Sequence, residues 1–186
     1  MKHANLWARK NGDVVELSTL TNPNDIWKDG NEFFRVEDKY QEYIDNNSEF
    51  DIENKTVVPS IVSVEEKLLS ELSRIRWTIE TGLLNLPNGQ SISVDRESRT
   101  MISDCYASFK EGFITTTKFK TNSGWIDIDF DAITMIASLV AKHVNSCFLA
   151  EMKVNETILN LDSVDEMLSI DLYTSFKYEY FVLMGY

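Results

Sequence analysis

Histidine and cysteine are too scarce in this sequence to build most metal centres. The 186 residues hold 2 of each, whereas a structural zinc needs four ligands and a catalytic one at least three. His143 and Cys147 are spaced as two ligands on a helix would be, but the other histidine is His3 and there is no cysteine pair to complete a set. Two cysteines also exclude a disulfide framework, and Cys105 and Cys147, each amid apolar neighbours on an expected helix, read as buried thiols of a reducing compartment. The 7 glycines are isolated from one another, which rules out a phosphate-cradling loop, and no Gly-x-Ser-x-Gly elbow supplies a nucleophile. No catalytic, cofactor-binding or metal-ligating residue is therefore assigned. Long apolar runs are missing as well: none reaches the roughly 18 residues of a membrane span, and the start MKHANLWARKNGDVVEL lacks the apolar stretch of a secretory signal. The expectation is a soluble, intracellular chain that contacts no membrane.

Positive charge is short too. Against 30 Asp and Glu stand 18 Lys and Arg, a net charge of -12, which repels nucleic-acid phosphates and speaks against direct nucleic-acid binding. Such acidity serves solubility, or it mimics nucleic acid before a basic protein. The carboxylates are spread along the chain and interleaved with Lys and Arg, which favours solubility.

What is present is a core. Hydrophobic residues make up 43% of the chain, enough for one domain of ordinary size with or without a small appendage. The plainest pattern lies between Asp127 and Glu151, where Ile133, Ile136, Ala137, Val140, Val144, Cys147 and Phe148 repeat at three-and-four spacing, widened by Met135 and Leu139. That spacing predicts a central helix covered on more than one side. Before it, Asp127, Asp129 and Asp131 alternate like a calcium loop, but Ala132 and Ser138 occupy the positions that need Gly and Glu. Asp129 or Asp131 instead suits the cap of the helix.

Residues 1–58 read as a small β-rich module. Asn11-Gly12 marks a hairpin within Leu6 to Leu17, Glu32 to Val36 a strand, Asp38 the start of a short helix through Ile44, and Phe50 to Val58 a second hairpin. Trp7, Trp27, Phe33 and Phe34 are candidate partner-binding aromatics there, with a small core as the competing use of the same side chains. Residues 59–82 read as a connector helix, capped by Ser63 with Glu66 and stopped by a left-handed Gly82. Its stripe of Val64, Leu68, Leu72, Ile75 and Ile79 suits its own domain or a homo-oligomer seam through the 63–80 helix. Arg76 and Glu80 are spaced for an ion pair.

Residues 83–160 repeat one order twice. A hairpin at Asn88-Gly89 precedes a helix from Ser98 to Phe109, and a hairpin at Ser123-Gly124 precedes the central helix. Two such units predict an α+β fold: a small four-stranded antiparallel sheet with helices on one face. Residues 161–186 add a short helix near Asp165 and an aromatic run whose alternation through Ile170, Leu172, Tyr178, Tyr180 and Val182 suggests a strand at the sheet edge, with a helix as the alternative. Tyr178, Tyr180 and Phe181 join the candidate partner-binding residues.

One set of residues carries a resemblance. Arg76, Glu80 and Gly82, Gly89 and Asp95, Phe119-Lys120, Gly124, then His143-Val144, Cys147-Phe148 and Glu151 resemble a domain-of-unknown-function family of tailed bacteriophages. The likeness covers residues 76–151, with Phe119 where Trp is usual and Thr81 interrupting a glycine doublet. It implies a tail or tail-fibre assembly protein, a chaperone or virion-associated cap that acts on a tail or fibre subunit without catalysis. Its place would be the host cytoplasm or the virion tail. An acidic inhibitor of a host nucleic-acid-handling or defence enzyme is the alternative.

Overall fold

The computed structural model describes residues 6–11, 14–19 and 33–185. Along the described chain the order is β1 (Leu6–Asn11), β2 (Val14–Thr19), β3 (Phe34–Val36), β4 (Glu49–Asp51), β5 (Thr56–Val58), α1 (Ile61–Glu80), β6 (Leu83–Asn85), β7 (Ser91–Ser93), α2 (Arg96–Lys110), β8 (Thr117–Thr121), β9 (Gly124–Ile128), α3 (Phe130–Leu159), α4 (Val164–Ser169) and α5 (Leu172–Met184). The class is α+β, as expected. Two compact units emerge, Met1–Ser70 with Thr157–Ile170 and Glu71–Glu156 with Asp171–Tyr186. Their divisions fall within α1 and α3.

The first unit is built on a sheet of strand order β2-β1-β3-β5-β4, antiparallel except where β3 and β5 run parallel. Leu6 and Ala8, Phe34 and Val36, and Val57 alternate inward, the period-two pattern of a half-buried sheet. Both expected hairpins form, with Asn11 opposite Val14 and Asp51 opposite Thr56. The expected helix after Asp38 does not: residues 38–43 turn, Tyr40 N–H donating to the Glu37 carbonyl at 2.9 Å and Tyr43 N–H to the Tyr40 carbonyl at 2.8 Å. Tyr40 is buried and its hydroxyl donates to Asp165 of α4 at 2.8 Å, so a tertiary anchor overrides a weak helical signal. The cap of α1 also lies elsewhere than expected. Ser60 Oγ accepts the Ser63 N–H at 3.1 Å, while the Ser63 hydroxyl is spent on the Tyr43 carbonyl at 2.9 Å.

The second unit shows the doubled order, hairpin β6–β7 before α2 and hairpin β8–β9 before α3. The hairpins do not fuse into the expected four-stranded sheet. They remain two-stranded ribbons, joined through Asn122 N–H to the Ser91 carbonyl at 3.0 Å. Asp129 supplies the cap of α3, its carboxylate accepting the Ala132 N–H at 2.9 Å. Ile133, Ile136, Val140, His143, Cys147, Ala150 and Val154 form the buried seam of α3. That seam is narrower than the stripe read from the sequence, since Met135 and Phe148 face solvent. By length and composition alone α3 is long and apolar enough to cross a membrane, with a mean hydropathy of 1.4 over 18 residues, a test that the core helix of a soluble protein passes as well.

The C-terminal aromatic run is a helix, not the expected strand. Leu172, Phe176, Tyr180 and Met184 are buried at four-residue steps along α5. Asp171 caps it, accepting the Thr174 N–H at 3.0 Å. Gly82, expected to be left-handed, is not among the residues of positive φ; a Cβ there would lie 3.0 Å from the Thr78 carbonyl oxygen. Close approach of backbone explains the glycine, not handedness. On α1, Val64, Leu68, Leu72 and Ile75 are buried within the chain.

Candidate functional site

In the last turns of α1, Arg76 and Glu80 do form an i,i+4 ion pair, but it is a buried one. Glu80 is only 4% exposed and its carboxylate meets two guanidiniums: Oε2 takes Arg76 Nη1, and Oε1 takes Arg99 Nη1 from α2 at 2.8 Å. Arg76 continues the network to α3. Its Nε lies 2.8 Å from Glu151 Oε2, close enough for an ion pair though not aimed for a hydrogen bond, and its guanidinium sits 4.7 Å from the Phe148 ring centre. Ser73 donates to the other oxygen of Glu151 at 2.7 Å. Burial of such charges is tolerated because each has a partner; removal of one leaves the others unpaired in a poorly solvated place.

His143 of α3 ties a fourth helix, α5, into the cluster. Its ring is 1% exposed, with Nε2 3.2 Å from the Glu80 carbonyl and Nδ1 2.8 Å from the Tyr180 hydroxyl of α5. A carbonyl only accepts, so Nε2 carries the proton and Nδ1 of the neutral ring accepts from Tyr180. Burial holds the imidazole below its ordinary pKa and so keeps it neutral, although the hydrogen bond to the Glu80 carbonyl works the other way. One orphan carbonyl at the end of α1 is satisfied by this bond. Cys147 Sγ lies 4.0 Å from the same Nε2, and burial, helped by the charge of Glu80, pushes its thiol up to about 12. An imidazole nitrogen that already bears a proton cannot take the thiol's, so this pair is not an activated nucleophile. The arrangement works as a clamp on four helices: α1, α2, α3 and α5.

Two clefts open on the same unit. The first, of about 700 Å³, is walled by apolar side chains including Leu83, Leu86, Leu139, Tyr173 and Phe181, with His143 and Tyr180 also at its wall. The second, of about 650 Å³, lies among β7, α2 and β8. Among the described residues, no three His, Cys, Asp or Glu side chains are placed to hold a metal ion.

Residues 63–174 match the family described as Domain of unknown function (DUF4376). The chain belongs to this family. No curated protein and no solved structure matches the chain. The DUF4376 span holds every member of the polar clamp except Tyr180, which lies beyond its end. It also holds the capping and turn residues that shape the hairpins. Asp95 caps α2 by accepting the Ser98 N–H at 2.8 Å, a bond that, with one from Ser93, holds its carboxyl below the usual range. Gly89, at φ 82°, turns β6 into β7.

The aromatics singled out from the sequence scatter. Phe34 and Tyr180 are core residues, the first edge-on to Phe50 with ring centres 5.1 Å apart, so neither is a surface anchor. Trp7 and Phe33 are half-buried, and Trp27 lies outside the described residues. Tyr178 and Phe181 do face solvent, at 66% and 41% exposure. Cys105 is half-buried and lines the second cleft, so it is not the fully buried thiol expected. Sequence reasoning missed Arg99 and the inward role of Tyr180. The four-residue step of Leu172, Phe176, Tyr180 and Met184 was the available signal for the latter, because a buried tyrosine needs a partner for its hydroxyl.

Proposed function

We propose that this DUF4376 chain is a tail or tail-fibre assembly protein of a tailed bacteriophage that acts by binding another protein, without catalysis. The phage assignment rests on the resemblance carried by the Arg76 to Glu151 pattern. One observation carries the binding reading. Arg76, Glu80, His143 and Glu151 of that pattern are spent inside the clamp, whereas beside them a cleft of about 700 Å³ presents apolar walls and the exposed rings of Tyr173 and Phe181. Aromatic side chains at the rim of an apolar cleft are the usual anchors of protein interfaces.

The test is capture of the neighbouring tail or tail-fibre subunit by the purified chain. Tyr173→Ser and Phe181→Ser should each lower that capture about tenfold while the melting temperature hardly moves. Capture of a basic nucleic-acid-handling protein instead, lost in moderate salt, would replace this reading with that of an acidic inhibitor.

A further inference from the structure

We infer that the edge of β8 turned away from β9 is a docking site for an extended, alternating acidic and apolar segment of a partner protein, which adds to the ribbon as a strand. This rests on the reading of the chain as a protein-binding module and names where and how one partner segment binds.

Ribbon geometry comes first. Thr121 pairs with Gly124 across a two-residue loop, followed by Lys120 with Trp125, Phe119 with Ile126, Lys118 with Asp127 and Thr117 with Ile128. In such a hairpin the pair flanking the loop exchanges both hydrogen bonds, and bonded and non-bonded pairs then alternate. Thr121, Phe119 and Thr117 therefore spend their main-chain groups on β9, while Lys118 and Lys120 aim theirs outward. The same alternation on the first ribbon aims Ser91 and Ser93 of β7 toward β8. The two ribbons meet at the Ser91 carbonyl, which accepts from Asn122 N–H at 3.0 Å. Beyond that point the cleft of about 650 Å³ opens, lined by β8 from Thr117 through Thr121 and by Ile92, Ser93, Met101 and Cys105. An unpaired strand edge beside an apolar floor is a template for strand addition.

Charge complementarity selects the occupant. In a chain of net charge -12, this cleft has no Asp or Glu in its lining and two lysines, Lys118 and Lys120. Lys118 already pairs with Asp127 across the ribbon at 2.6 Å, and Lys120 lies 5.9 Å from the ring centre of Trp125, which is 67% exposed. The lysines share one face of β8, while Thr117, Phe119 and Thr121, the less exposed set, share the other. A strand laid along this edge would place its carboxylates beside the lysines and its alternate apolar residues beside Phe119 and Met101.

The experiment uses the full chain, labelled for amide NMR, and two capped heptapeptides: alternating Val and Glu, and alternating Val and Lys. Overall charge would draw the lysine peptide to this acidic protein, so preference for the glutamate peptide reports the local edge. The expected result is at least about tenfold tighter binding of the glutamate peptide at low salt, with hydrogen-exchange protection gained at the amides of Lys118 and Lys120. Lys120→Pro removes one outward donor without touching the β9 ladder and should abolish the protection. Lys120→Glu keeps the backbone and should reverse the peptide preference. Equal binding of both peptides, no binding at millimolar concentration, or protection confined to other residues would overturn the inference. Subunit capture through Tyr173 and Phe181 is read separately, so its failure and the failure of this site are distinguishable.

Discussion

Polar groups in the second unit are handled in two opposite ways. Around Glu80 they are sealed: two guanidiniums, a second carboxylate, an imidazole and a phenol meet within hydrogen-bonding distance of one another, and the pieces come from four helices. Along β8 they are left open, with the main-chain groups of Lys118 and Lys120 aimed into a cleft. The difference separates what holds the fold from what, under the proposed reading, is offered to a partner. A sealed network is sensitive to any single loss, because each removal strands a buried group. An open edge can change with little effect on stability.

The largest effect should come from breaking the seal. Glu80→Gln leaves Arg76 and Arg99 with a neutral partner in a site mostly closed to water and should cost about 3 kcal/mol, read by urea unfolding. Tyr180→Phe should cost about 1 to 2 kcal/mol, since it removes the donor to His143 Nδ1 and leaves that nitrogen buried and unpaired.

A pH scan of stability should show two slopes of opposite sign. Because burial lowers the His143 pKa, the unfolded chain takes up a proton near pH 6.5 while the folded ring does not, so its contribution is complete above that pH and is lost as pH falls below it. Cys147 acts in reverse. Its folded thiol is pushed up to about 12, so the unfolded chain ionises first, and stability falls as pH rises from about 8.5 toward that value. His143→Gln should flatten the acid slope selectively. Smallest of all, Tyr178→Ser on the exposed face of α5 should stay within about 0.5 kcal/mol of the parent in thermal unfolding.

Much of the fold was legible where a pattern was local. The three-and-four spacing in α3, the Asn-Gly and Ser-Gly turns, and the hairpin-then-helix order are all features of neighbouring residues. The C-terminal helix was misread because Tyr178, Tyr180 and Val182 alternate with Glu179 and Phe181 in aromatic company, which suits a strand as well. Its four-residue burial step is visible only when Leu172, Phe176 and Met184 are weighed with Tyr180. The open edge of β8 was hidden because two matching hairpins suggest a closed sheet, and whether ribbons fuse depends on packing beyond the turn. At the clamp, the spacing of Arg76 and Glu80 was plain while their burial was not. Arg99 and Glu151 come from distant stretches of chain, and no periodicity announces that they converge.

The Glu80 cluster holds four helices of its unit together. Equilibrium urea unfolding of Glu80→Gln beside the combined Arg76→Met, Glu80→Met and Arg99→Met variant tests it most directly. Apolar replacements of similar length remove the desolvated charges together, and Glu151 keeps its bond from Ser73 at 2.7 Å. The single change should cost about 3 kcal/mol, and the triple variant should unfold cooperatively within about 1 kcal/mol of the parent. A triple variant as unstable as the single one, or a single change without cost, would contradict it.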